Sequence, residues 1–146
     1  MALFAQNFQN HKRYLPLFHF TAVPLLVLYL LYALYALVRA PSLATLAGVV
    51  LGAGVTASVF ASRLMAATVQ DRVIRLEMTM RLERVLGAAA AADAIAKLSL
   101  RQIIALRFAS DVELSALVAR VASKELTTGV QLKQAIREWQ ADYLRA

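Results

Sequence analysis

From Tyr14 to Ser62 the chain is almost continuously apolar and carries a single charge, Arg39. From Arg63 onward, charges return between apolar positions spaced three and four residues apart. The first pattern suits a bilayer, the second a set of amphipathic helices. A helix of about 20 apolar residues crosses a hydrocarbon core of about 30 Å. Two stretches meet this, residues 18–38 and 43–62, separated by a turn at 39–42. Pro41 ends the first helix, and Ser42 is placed to cap the second. So short a turn makes the two helices antiparallel neighbours. The first stretch is too long for the apolar region of a signal peptide. Its one small-residue cleavage site, Val38-Arg39-Ala40, is followed by Pro41, so the segment reads as an anchor.

Basic residues set the orientation. Lys12 and Arg13 precede the first span, and Arg63, Arg72 and Arg75 follow the second, while Arg39 stands alone at the turn. By the positive-inside rule both termini are cytoplasmic. The second span carries small residues at four-residue spacing, Ala44, Gly48, Gly52 and Thr56. A second row runs through Gly54, Ser58 and Ser62. Such rows let helix backbones approach closely in lipid, against the first span or against another protein. Tyr29 falls near the bilayer centre, where its hydroxyl needs a backbone carbonyl or Thr56 as partner. Pro24 kinks the first span or marks a later start.

Beyond the second span no Gly or Pro occurs until Gly87, which predicts one unbroken helix from about 43 to 86. Two apolar rows run along its last part. One is Val69, Val73, Leu76 and Met80; beside it lie Ile74, Met78, Leu82 and Val85. Asp71/Arg75 and Glu77/Arg81 are acid-first pairs one turn apart. Ala88–Lys97 is an Ala-rich helix former. Three capping signatures follow, Ser99 with Gln102, Ser110 with Glu113, and Thr128 with Gln131. They predict helices over about 100–109, 111–125 and 129–145, the last with the row Leu132, Ile136, Trp139 and Tyr143. The expected fold is all-α: a two-helix transmembrane hairpin whose second helix extends into a small cytoplasmic helical bundle. It has three regions: a cytoplasmic segment at 1–17, the hairpin at 18–62, and the stem and bundle at 63–146.

Composition fits this division. The 146 residues are 60% apolar and 17% charged, and the formal charge is +7. All but one of the charged residues lie outside 14–62, so the remainder has the charge content of an ordinary soluble domain. A freely soluble monomer, a disordered chain and a disulfide scaffold are excluded. With no Cys there is no thiolate metal site and no Cys nucleophile. Signs are interleaved in 63–146, so the positive excess reads as juxtamembrane anchoring rather than a nucleic-acid surface. The helices around 100–124 superficially resemble a helix-turn-helix but offer no basic stripe for phosphates.

No phosphate-cradling glycine loop, HExxH, GxSxG or apolar acidic pair is present. His11 and His19 precede or open the first span, without carboxylate or Cys company; they read as interfacial hydrogen-bonding residues rather than metal or tetrapyrrole ligands. No cofactor or metal is expected. Asp111 is placed to cap a helix while pairing with Arg107 one turn earlier. Trp139, on an apolar row, reads as core.

Four stretches carry a resemblance. They are Gln6-Asn7-Phe8-Gln9-Asn10-His11-Lys12-Arg13-Tyr14 with Pro16-Leu17-Phe18-His19-Phe20; Gln70-Asp71-Arg72 with Arg75-Leu76-Glu77; Leu100 through Asp111; and Lys133 through Asp142. Together they resemble an uncharacterised bacterial family of two-span inner-membrane proteins, a domain of unknown function whose members are often loosely labelled ABC transporter permeases. The resemblance implies no activity, substrate or site residue. The permease label does not fit the residues: two spans with a tight turn and no ionisable group in the bilayer offer no translocation path.

These readings converge on a non-enzymatic accessory or scaffold subunit in the bacterial cytoplasmic membrane, docked onto a larger bioenergetic, photosynthetic or transport complex. Its partners would be the lipid bilayer and integral membrane proteins or further copies of itself, with no nucleic acid. The candidate interaction residues are Gly48, Gly52, Gly54 and Ser58 in the span, His11 and His19 at its start, and Arg101, Arg107, Asp111 and Trp139 in the bundle. The alternative is a homo-oligomeric channel or small transporter component, for which Thr45, Thr56, Ser58 and Ser62 supply only a thin polar face. A membrane-bound enzyme using His11 or His19 comes third.

Overall fold

A computed structural model describes residues 6–10 and 14–142. Among them all regular structure is helical, in six α-helices and one π-helical stretch. They are α1 (Val23–Arg39), α2 (Leu43–Leu86), α3 (Ala88–Lys97), α4 (Leu100–Leu106), α5 (Asp111–Ala122) and α6 (Gly129–Ala135), with the π-helical stretch at Leu17–Ala22. Two helical runs, Leu17–Arg39 and Leu43–Leu86, are long and apolar enough to cross a membrane. The chain divides into two compact units, 13–67 and 1–12 with 68–145, and α2 contributes to both.

In the unit at 13–67 the helix around Pro24 neither breaks nor starts late. Pro24 has no amide to give the Phe20 carbonyl, and the preceding turn widens instead: the Val23 amide bonds the Phe18 carbonyl, five residues back. Residues 40–42 join α1 to α2. Ser42 caps α2 as its position suggested, its Oγ accepting from the Thr45 amide at 3.2 Å. Thr45 Oγ1 accepts from the Ser42 amide and donates to the Ala40 carbonyl, each at 3.0 Å. Phe18 meets Phe60 edge to face, with ring centroids 6.0 Å apart.

In the other unit α2 ends at Leu86 because Gly87 adopts φ +82°, a region that side chains disfavour. All three capping boxes form, at Ser99, Ser110 and Thr128. The core gathers Ile74, Met78 and Leu82 of α2 with Ile103 and Leu106 of α4, Leu114 and Leu117 of α5, and Leu132 of α6. Of the two apolar rows on α2, the bundle uses only Ile74/Met78/Leu82, with Val85 half-buried; Val69, Val73, Leu76 and Met80 remain exposed.

The helices after Ser99 are shorter than their periodicity predicted. Before Ser110 can cap α5, the chain tightens, the Ala109 amide bonding the Leu106 carbonyl at 3.0 Å. Lys124 at φ 62° closes α5, letting the Glu125 and Leu126 amides both reach the Arg120 carbonyl. The largest departure is α6, which stops at Ala135 instead of running to 145. Here competing acceptors take the amides: those of Arg137 and Glu138 bond Glu113 at 3.1 and 3.2 Å, and that of Gln140 bonds the Phe108 carbonyl at 2.7 Å.

Candidate functional site

Two arrangements draw together the chemistry-bearing residues, one in each unit. The first is the small-residue face of α2. Tyr29 donates its hydroxyl to the Gly48 carbonyl at 3.3 Å, tying α1 to the small-residue face of α2. Its ring lies so close to Gly52 that a Cβ there would stand 2.7 Å from Cε1, with Leu30 2.9 Å away. Gly52 is therefore required by packing within the chain. Gly54 differs, since a Cβ there would meet nothing within 4 Å. Gly54, Ser58 and Ser62 instead line a shallow apolar groove with Phe18, Leu51 and Val55. The hydroxyls of Thr56 and Ser58 donate to the carbonyls of Gly52 and Gly54 at 2.7 and 2.9 Å.

The second arrangement is a polar clamp in the bundle, centred on Arg81 of α2. Its Nε donates to Asp111 Oδ1 at 2.6 Å, Nη1 to the Arg107 carbonyl at 3.2 Å, and Nη2 to the Ala109 carbonyl at 2.6 Å and Gln140 Oε1 at 3.1 Å. Arg84 adds a bond to Asp111 Oδ2 at 2.9 Å. The Arg81 hydrogen bond, reinforced by the charges of Arg81 and Arg84, holds the Asp111 carboxyl below the usual carboxylate range. Arg107 pairs with Asp142 at 3.2 Å and lies over the Phe108 ring, 4.4 Å from its centroid. Trp139 stacks on the other residue of this cluster, Phe108, with centroids 4.6 Å apart. Gln6 accepts from the Asp142 amide at 2.7 Å. The clamp fastens residues 136–142 to the α4–α5 corner. Nothing in it pairs a nucleophile with a base, and among the described residues no group of three or more His, Asp or Glu could hold a metal.

The model of DUF6526, a family of unknown function, matches residues 1–146. The chain belongs to that family. No curated protein and no solved structure matches it. Membership agrees with the resemblance to an uncharacterised family and supplies no activity.

The candidate residues sort by position. Gly48 and Gly52 receive Tyr29, while Gly54 and Ser58 lie together on the open groove. His19 Nδ1 sits 3.1 Å from both the amide and the carbonyl of Leu15, between the rings of Tyr14 and Phe18. His11 lies outside the described residues. Arg107, Asp111 and Trp139 come together in the clamp. Arg101 does not join them; its side chain is exposed, and its carbonyl lies where a Cβ on Gly129 would be 2.9 Å away. One expected pairing is corrected: Asp111 is bonded by Arg81 and Arg84 rather than by Arg107, which turns to Asp142. Ser110, not Asp111, caps α5. Arg81, Phe108 and Gln140 went unread as a site. Arg81 had an apparent partner one turn back in Glu77, and its actual partners lie 26 to 59 residues further along.

Proposed function

We propose that the chain is an integral protein of the bacterial cytoplasmic membrane: a two-helix hairpin, both termini cytoplasmic, serving as an accessory or scaffold subunit docked on a larger membrane complex. Bioenergetic, photosynthetic and transport complexes are the candidates. The observation that carries this reading is the difference between the two small-residue rows of α2. Gly48 and Gly52 are occupied by Tyr29 and Leu30 of the same chain, whereas Gly54 and Ser58 face an uncovered apolar groove. Helices associate in lipid through such small-residue faces, where dispersion replaces the hydrophobic drive. The polar side chains of the bundle support a non-enzymatic role, because Arg81, Arg107, Asp111 and Glu113 are engaged in fastening the chain to itself. A channel draws less support, since Thr56 and Ser58 spend their hydroxyls on their own helix.

Extraction in gentle detergent or nanodiscs, followed by mass spectrometry, tests the proposal. A membrane protein partner is expected to copurify, and Gly54→Leu is expected to abolish the association while the bundle keeps its native Trp139 fluorescence. Recovery of the chain alone, in any oligomeric state, overturns the docking reading.

A further inference from the structure

Within the unit that contains the bundle, α2 is apolar on two opposite faces. Ile74, Met78 and Leu82 are at most 5% exposed. Val69, Val73, Leu76 and Met80 are between 49% and 61% exposed. At about 100° per residue the two stripes lie about half a turn apart around the helix. The exposed stripe has steps of four, three and four residues, the a/d repeat of a coiled coil. Val69 and Leu76 take d positions, and Val73 and Met80 take a positions. A β-branched residue at a with Leu at d favours two strands.

The flanking charges identify the occupant. In this register Arg72 is a g residue, and Glu77 is the e residue five positions later. In a parallel, in-register pair, g of one strand faces that e position of the other, so Arg72 of each copy meets Glu77 of its mate, twice by symmetry. Among the described residues neither Arg72 nor Glu77 has an ion pair or side-chain hydrogen bond within the chain. Glu77 is uncommitted because Arg81, one turn on, is drawn to Asp111. The next g and e residues, Thr79 and Arg84, introduce no like-charge conflict.

We propose that the exposed face of α2, Val69 to Met80, packs in parallel against the same face of a second copy of this chain. The parallel sense rests on the membrane reading above: copies inserted with one topology present α2 in one direction.

The chain has no Cys, so single-cysteine cross-linking of the full protein in its native membrane needs no background removal. Under mild oxidation Val73→Cys and Leu76→Cys are expected to give a cross-linked dimer, and Ser115→Cys, exposed on α5, is not. In the Leu76→Cys background Arg72→Glu is expected to lower dimer association about fivefold, and adding Glu77→Arg to restore it. Monomer alone, or a product whose mass is not twice the chain, overturns the proposal; failure of the double charge swap to restore the dimer overturns the parallel register. Alkaline extraction of the same membranes reads the membrane assignment separately. Resistance with no cross-link sinks the dimer alone, and release with a cross-link at 73 and 76 sinks only the membrane reading.

Discussion

Arg81 is the side chain on which the bundle's closure depends, and Arg81→Met isolates that contribution. Methionine keeps an unbranched apolar stem for packing and removes every donor. Four acceptors lose a bond at once: the carbonyls of Arg107 and Ala109 and the Asp111 carboxylate at the α4–α5 corner, and Gln140 in the segment that follows α6. The Arg81 side chain is 15% exposed, so these bonds are largely sheltered, whereas Asp111 is 45% exposed and its ion pair must be discounted for solvent. At about 1 kcal/mol for each carbonyl and less than that for the screened ion pair, the expected loss is about 2–3 kcal/mol. Arg81→Lys supplies one point charge in place of a three-nitrogen fork and recovers less than half of this. The measurement is chemical denaturation of the full chain in mild detergent. It is followed by fluorescence of Trp139, the sole tryptophan, which stacks in the clamp. The clamp also sets a pH dependence. Because the folded state lowers the Asp111 pKa, its contribution is fully present above the ordinary carboxylate value and is lost as pH falls through the depressed folded value. The difference between wild type and Arg81→Met therefore narrows on acidification and is constant near neutrality. A Met variant within about 0.5 kcal/mol of wild type, or a difference that widens in acid, refutes this account.

Two glycine substitutions probe close approach. Gly129→Ala forces a methyl to within 2.9 Å of the Arg101 carbonyl and is expected to destabilise the bundle by about 1–3 kcal/mol in the same denaturation assay. In the other unit Gly52→Ala meets the Tyr29 ring at 2.7 Å, whereas Gly54→Ala meets nothing and gains helix propensity, so thermal midpoints in detergent should fall for the first and hold or rise for the second.

What could be read from the sequence was local chemistry. Ser99, Ser110 and Thr128 each carry their capping partner three residues on, and Gly87 marks a stop that needs no distant contact, so those boundaries coincide with the structure. What escaped was decided at a distance. Ile136 and Trp139 continue the α6 periodicity, yet Glu113, already visible as the α5 capping residue, also draws the amides of Arg137 and Glu138 out of the helix. Arg81 showed an apparent partner in Glu77, and only the folded corner supplies the two carbonyls and the carboxylate that win it. At the candidate face of the apolar part of α2, the two small-residue rows look alike in the sequence. Tyr29 separates them, because its ring must come from the preceding helix before one row can be closed and the other left open.

The second apolar row of α2 is where periodicity and packing part company, and its surroundings narrow what can cover it. A helix serving only its own bundle gains nothing from valine, leucine and methionine on the opposite face, where polar residues solvate freely. Lipid is a poor cover for it. Residues 72–84 hold six charges in 13 positions, Arg72, Arg75, Glu77, Arg81, Glu83 and Arg84, a density that hydrocarbon does not accept. Most of the stripe thus belongs to an aqueous stretch and calls for protein. A partner that matched by hydrophobicity alone would leave Arg72 and Glu77 without a reason to flank the stripe five residues apart with opposite sign. A second copy uses both. The dimer and the docking reading therefore draw on separate residues, the heptad row with Arg72 and Glu77 in one unit and the Gly54 row in the other, so that charge reversal at Arg72 is expected to dissolve the first and leave the second intact.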